Sequence, residues 1–380
     1  MTRVTKISLA ALAILVIAGI GVWFFLRSGT NDPGSSSTGV FHFFSGGGNT
    51  NGTSSGGTAA NNESFSNPRL TQVVKTPILG ATLTANGLGL LYFARQGGNL
   101  FQADLLGGNP AKLSNLTIVG MTRAAWSPKR EAAAISYVDG DTTKHFVDFI
   151  ATSSPAIFLP SDVSSFLWGA DGTLYYTESG PAGTKLVSSK AGKTPKTLFL
   201  DVVPDFRITG INQSGVMLVT APSSQSNGIG ELISSTGKGS VIFSGAGLAV
   251  LPSPKSTFLA SALDSDGRLT NIGLFNAKGD LTRSFNVVTL PEKCAWVGTA
   301  TSVYCAVPEN ISGSLPEDWF QGKVGFHDRI VKIATETGII SEVLPQTSFD
   351  VVDIFLDPQE QYLFFRNKSD SSLWRLELPK

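Results

Sequence analysis

Between Leu83 and Leu356 the sequence repeats one short unit seven times, and a repeat of this length leaves few folds open. The clearest copy is Trp168-Gly-Ala-Asp-Gly-Thr-Leu-Tyr-Tyr176. A large apolar residue closes one strand, a turn follows, and an aromatic strand leaves it. The anchors are Leu83, Trp126, Trp168, Ile211, Leu251, Trp296 and Leu356, separated by 43, 42, 43, 40, 45 and 60 residues. Turn chemistry follows each one: Asn86-Gly87, Ser127-Pro128, Asp171-Gly172, Ser214-Gly215, Ser253-Pro254, Gly298-Thr299 and Asp357-Pro358. Gly, Asn and Asp tolerate the positive φ of tight hairpins, and Pro presets φ for other turns. A β-type run comes next each time, such as Leu90-Leu-Tyr-Phe93, Val216-Met-Leu-Val219 or Tyr362-Leu-Phe-Phe365. Short strands at a period near 43, four to a unit, predict an all-β, seven-bladed β-propeller. A β-sandwich is the alternative, but sandwiches rarely hold one period through seven copies.

The chain ends explain how such a ring would close. Only 24 residues follow Leu356, enough for two more strands and not three. An unassigned β-like run, Leu70-Thr-Gln-Val-Val-Lys75, precedes the first anchor. It is expected to supply the outer strand of the last blade, pairing an edge that would otherwise stay open.

The turns resemble the WD40-like repeats of TolB-like propellers, whose signature is an aromatic followed by Ser-Pro-Asp-Gly. Trp126-Ser-Pro-Lys129 and Trp168-Gly-Ala-Asp-Gly172 each keep part of it, and no copy keeps all of it. The resemblance implies a fold and, because propellers host unrelated functions, little about activity.

Upstream of the repeats, Ile7–Leu26 is 20 residues without a charge, enough to cross a bilayer as a helix of roughly 30 Å. A cleaved signal peptide is the rival reading. The run exceeds the usual apolar core of a signal, and it ends in Trp23-Phe-Phe-Leu-Arg27 rather than in small residues. Arg3 and Lys6 on the short side predict a cytoplasmic N-terminus and an extracytoplasmic bulk, a single-pass protein of the cell membrane. The expected division is 1–6 cytoplasmic, 7–26 transmembrane helix, 27–67 a Gly/Ser/Thr/Asn-rich linker, and 68–380 propeller. Val40-Phe-His-Phe-Phe44 interrupts the linker as an aromatic patch. Residues 28–380 carry 26 basic and 29 acidic side chains with no basic stripe, so no electrostatic footprint for nucleic acid exists.

The two cysteines, Cys294 and Cys305, flank a predicted hairpin. If Val297 pairs with Ser302, the same register opposes Cys294 and Cys305. A hairpin pairing Trp168 with Tyr175, a step of seven, would give that register again when moved to Trp296 and Val303. Outside the cytoplasm a disulfide between them is expected; two buried free thiols are the alternative.

The 60-residue step holds an insert of about 17 residues beyond the usual period, between Val307 and Asp328. It separates the second and third strands of the sixth blade and should overhang a face whose other loops are short. Long loops on rigid scaffolds often carry function. Trp319, Phe320 and Phe326, with Glu317, Asp318, Lys323 and His327 around them, form a candidate patch for a protein partner. The competing expectation is that the insert folds down and plugs the ring's channel.

Reactive chemistry is sparse. Gly52-Thr-Ser54-Ser-Gly56 matches the nucleophile-elbow string but lies in the linker, without strand or helix. His42, His145 and His327 share no ligand spacing, and Asp264-Ser-Asp266-Gly267 and Asp139-Gly-Asp141 read as turns rather than calcium loops. The sequence therefore assigns no catalytic, cofactor or metal residue. The leading expectation is a membrane-anchored extracytoplasmic propeller that binds or scaffolds a protein. The alternative is an envelope-acting hydrolase or lyase with its site on the propeller face. Arg123, Arg207, Lys293 and Asp353 are the charged candidates on the ring-facing strands. Three of them meeting in a pocket would favour the enzyme; aromatics presented by the insert would favour binding.

Overall fold

The computed structural model describes residues 67–150, 152 and 154–379. The predicted membrane helix, the linker up to residue 66 and its aromatic patch lie outside them. Among the described residues no helix is long and apolar enough to cross a membrane.

Seven four-stranded antiparallel sheets follow one another along the chain. Their inner strands are Ile78–Leu83, Met121–Trp126, Val163–Trp168, Phe206–Asn212, Ala249–Pro252, Cys294–Trp296 and Val351–Leu356, one at each anchor. Leu70–Val74 pairs antiparallel with Leu373–Glu377 as the outer strand of the seventh sheet, so the first strand and the last three share one blade. The protein is an all-β seven-bladed propeller.

Each blade has two faces and each face must be covered. The core is accordingly a set of layers between blades. Leu79, Phe93 and Leu100 of blade 1 meet Met121, Ile135 and Phe146 of blade 2. Leu259, Ile272 and Phe285 of blade 5 meet Val303, Cys305 and Val331 of blade 6. Val73, Val74 and Phe364 of blade 7 meet Ile78 and Leu90 of blade 1, which closes the ring. Two of the three tryptophan anchors add a polar tie between blades. Trp126 Nε1 donates to the Gly80 carbonyl at 2.7 Å, and Trp168 Nε1 to the Ala125 carbonyl at 3.0 Å.

Blades 1, 2, 6 and 7 share the step of seven, in the pairs Leu83–Leu90, Trp126–Ala133, Trp296–Val303 and Leu356–Leu363. Blade 3 does not: Trp168 faces Leu174, and Tyr175 faces Leu167. Its Asp-Gly turn is one residue tighter, so the hairpin used to infer the cysteine register differs from the one that contains the cysteines. Cys294 nevertheless opposes Cys305, and the two are disulfide-bonded.

Candidate functional site

The links between blades and the turns between second and third strands share one face of the ring. On this face a 3-10 turn, Pro291–Lys293, precedes the inner strand of blade 6, and the insert carries one short helix, α1 (Glu317–Phe320). The insert is folded down. Trp319 and Phe326 are each 3% exposed and pack with Leu290, Leu315 and Val352. Phe320 and Val324 are half-buried at the edge of this cluster.

A polar network holds the insert in place. Lys293, wholly buried, sets its ammonium 2.8 Å from Asp328 and 2.7 Å from Asp350, and donates to the Val351 carbonyl at 3.0 Å. Its Nζ lies 5.0 Å from the Trp319 ring centre and 5.3 Å from that of Phe326. Trp319 Nε1 donates to both Asp350 oxygens, at 3.1 and 3.0 Å. Burial pushes the Asp328 carboxyl up to about 6, although the Lys293 charge opposes the shift. Lys368, in blade 7, donates to the Trp319 carbonyl and sits 4.2 Å from the Trp319 ring centre. Desolvation lowers its ammonium to about 8.

The other end of the insert reaches further round the ring. The Ser224 N–H of blade 4 donates to Glu317 Oε1. Pro316 approaches Gly247, between blades 4 and 5, where φ is +61° and a Cβ would stand 3.3 Å from Pro316 Cδ. Leu269 of blade 5 packs on the same cluster. Asp318 receives the Ser314 N–H and pairs with exposed Lys323 at 3.2 Å. The predicted partner patch is thus divided. Trp319 and Phe326 face inward, while Glu317, Asp318 and Phe320 are partly exposed, and Lys323 and His327 exposed.

Of the four charged candidates, Lys293 belongs to this network. The other three lie near the starts of the inner strands of blades 2, 4 and 7. Arg123 donates from Nη2 to the Phe166 carbonyl at 2.9 Å, with its guanidinium carbon 4.8 Å from the Phe166 ring centre. Desolvation, joined by the Arg207 charge and opposed by Asp353, draws Arg123 down to about 10. Asp353 accepts from Arg366 Nε at 2.7 Å. Arg366 and Arg95 share the Ser371 hydroxyl, at 3.4 and 2.9 Å. The inner strands are irregular here, with register shifts between Met121 and Arg123 and between Val352 and Phe355, and Asp353 has φ +52°. Bulges turn side chains out of the regular alternation. Glu292 of the 3-10 turn is exposed, and desolvation by the protein around it raises its carboxyl to about 7.

Sequence reasoning missed one pairing. Ser136 and His145 are cross-strand neighbours in blade 2, with Oγ and Nδ1 2.8 Å apart. Both are 5% exposed, and burial holds the imidazole near 4, hence neutral. His145 Nε2 is buried without a protein partner among the described residues. The pair is built into an inter-blade layer beside Phe166 rather than presented to a substrate. On the opposite face a cavity of about 440 Å³ opens among the first hairpin turns of blades 1, 2, 6 and 7. Its Arg130 already donates to the carbonyls of Leu83, Ser127 and Pro128. Among the described residues no three His, Cys, Asp or Glu side chains are grouped as metal ligands.

No family model matches the chain, and no curated protein matches it either. Solved structures do. An oligogalacturonate lyase from Vibrio parahaemolyticus superposes with a TM-score of 0.56 at 11% identity, over 82% of this chain and 94% of that one. An oligogalacturonate lyase in complex with manganese gives 0.55 at 14% identity, over 83% and 92%. The β-propeller domain of Cps50 (Swd1) from Myceliophteria thermophila gives 0.53 at 12% identity, over 82% and 100%. At such identities the likeness is one of fold, and the fold is a seven-bladed propeller resembling WD40-like structures.

Proposed function

We propose that this chain is a membrane-tethered, extracytoplasmic binding module whose ligand or protein partner docks at the half-roofed channel mouth. The observation that carries the reading is the pinned insert. Lys293, Lys368, Ser224 and Leu269 hold it from blades 4 to 7, while the loops of blades 1 to 3 on that face stay short. A rigid shelf beside a low rim gives a partner a preorganised depression, which reduces the entropy cost of docking. The polar edge of Glu317, Asp318, Lys323 and His327, with Phe320, would meet the partner, and the buried aromatics would set the shelf's position. The charge-free run at 7–26 and the Cys294–Cys305 bridge both suit an anchored protein outside the cytoplasm.

Crosslinking in intact cells, followed by capture of the full chain and of a variant lacking 312–325, tests this. Partners lost from the variant are expected; an unchanged set removes the case for the shelf. Protease added to intact cells should digest the propeller, and full protection would reverse the orientation.

The enzyme reading draws on the charges of Arg207 and Asp353 acting on Arg123, and on the lyases among the structural neighbours. Elimination on a uronate oligomer leaves a double bond conjugated with a carboxylate. Ultraviolet absorbance growing with time, and lost in Asp353→Asn, would favour a lyase over a binding module.

A further inference from the structure

On the face opposite the insert, the turn between the third and fourth strands of one blade tucks against the outer strand of the blade before it. A Cβ on Gly237 of blade 4 would stand 2.2 Å from the Leu198 carbonyl oxygen of blade 3, and one on Gly279 of blade 5 would stand 2.4 Å from that of Ile242 in blade 4. Both glycines have positive φ, +85° and +84°, so neither turn admits a larger residue without strain. The outer edges of blades 3, 4 and 5 thus join into one arc. Leu70–Val74 runs antiparallel to Leu373–Glu377 and so enters blade 7 from this same face.

The arc is basic. Lys190, Lys193 and Lys196 stand at the last hairpin of blade 3, with Lys190 directly opposite Lys193. Lys238 follows Gly237, and Lys278 precedes Gly279. All five are exposed, and among the described residues no carboxylate forms an ion pair with any of them. Lys193 Nζ lies 5.6 Å from the Phe149 ring centre. Across the three turns the acidic side chain is Asp280, which accepts from Asn276 Nδ2 at 2.9 Å. Opposed like charges destabilise a hairpin, and an anionic surface relieves that cost. Val241 and Leu281, on the outer strands after Lys238 and Lys278, are 60% and 58% exposed. Aliphatic side chains set among lysines suit the headgroup layer of a bilayer, whereas single-stranded nucleic acid takes aromatic rings on which its bases stack. Three blades contribute to the arc, so no single stretch of sequence displays it.

We propose that the outer edge of blades 3 to 5 on this face is a docking surface for an anionic lipid bilayer, with Lys193, Lys196, Lys238 and Lys278 against lipid phosphates and Val241 and Leu281 at headgroup depth. The inference rests on the membrane-tethered reading and adds an orientation to it. This face lies toward the bilayer, and the insert with its depression points away, open to a partner.

The full chain reconstituted in bilayer discs tests it, with a fluorophore on Ser240→Cys and brominated lipid as the quencher; the native cysteines are paired and leave that thiol to be labelled. Discs of phosphatidylcholine are compared with discs of phosphatidylcholine and phosphatidylglycerol. Quenching several-fold stronger in the anionic discs is expected, fading as salt is raised. A label on Ser265→Cys, at an exposed turn on the insert's face, should stay unquenched in both. A lysine near an anionic surface is worth a factor of about 5, so Lys196→Gln/Lys238→Gln/Lys278→Gln should shift the docking equilibrium on the order of 100-fold and bring quenching to the neutral-disc level. Should that variant fold poorly, Lys238→Glu alone should lower the quenching. Equal quenching in both lipids, or anionic quenching that the variants keep, overturns the proposal. A chain that does not enter the discs sinks the tether instead. Co-sedimentation of that chain with vesicles of the same two lipids then decides the docking surface: binding only to the anionic vesicles, lost in the triple variant, sustains it, and any other result overturns it.

Discussion

Lys293 has no exposed surface, and its ammonium is matched by two carboxylates and a carbonyl drawn from two other parts of the chain, Asp328 and Asp350–Val351. Removing one partner from such a set leaves charge buried without compensation, at a cost of about 3–5 kcal/mol. Lys293→Met should therefore lose roughly that much in urea unfolding, far more than a methionine on the surface would. Asp328 makes a second prediction at this scale, one about pH. Its folded value is raised from 3.8 to about 6, so between those values the native state holds a proton that the unfolded chain has released. The favourable contribution is complete below 3.8 and is lost as pH rises through about 6. Wild type should lose stability relative to Asp328→Asn over that window; a parallel pair of pH profiles would contradict the assignment.

At the scale of the element, the hairpin of blade 6 and the insert behind it form one assembly. The Cys294–Cys305 bridge ties the two strands that Lys293 enters and the insert leaves. Closing a loop of sequence separation 11 contributes about 3 kcal/mol on the chain-entropy model. The double variant Cys294→Ala/Cys305→Ala should unfold at correspondingly lower denaturant, and reductant should move the wild type toward it and leave the variant unmoved. The cysteine register was legible because a strand's side-chain period is two and a turn closed by Val297 and Ser302 fixes the pairing on either side of it, whereas the copy in blade 3 pairs differently. Blade 3 marks the limit: an Asp-Gly turn tightened by one residue shifts the whole pairing, and nothing in Trp168–Tyr176 distinguishes the two lengths. The insert's direction was not legible either. Trp319 and Phe326 read as a presented patch or as a buried plug until Asp350 and Lys293, distant in sequence, are seen beneath them.

For the whole molecule, the ring is closed by five residues, Leu70–Val74, laid on Leu373–Glu377. Without them blade 7 would keep three strands, an open edge and a bare patch where Val73 and Val74 now pack on blade 1. A chain lacking residues 67–75 should melt lower and self-associate, read by light scattering; a monomer of unchanged melting temperature would show that closure lies elsewhere.

The repeat determined the blade number, the strand order and the shared last blade, because each is set by local turn chemistry and by a period the chain carries in itself. Which charged side chains meet was decided by the ring alone. Arg123, Arg207 and Asp353 come from blades 2, 4 and 7, and only the closed ring lets the charges of Arg207 and Asp353 act on Arg123. Lys293, expected on a ring-facing strand, stands instead in the 3-10 turn before the inner strand of blade 6 and was drawn into a buried network, since the insert roofed it and two carboxylates were within reach. Periodicity records which way a side chain faces its own sheet; it holds no record of what another blade places opposite.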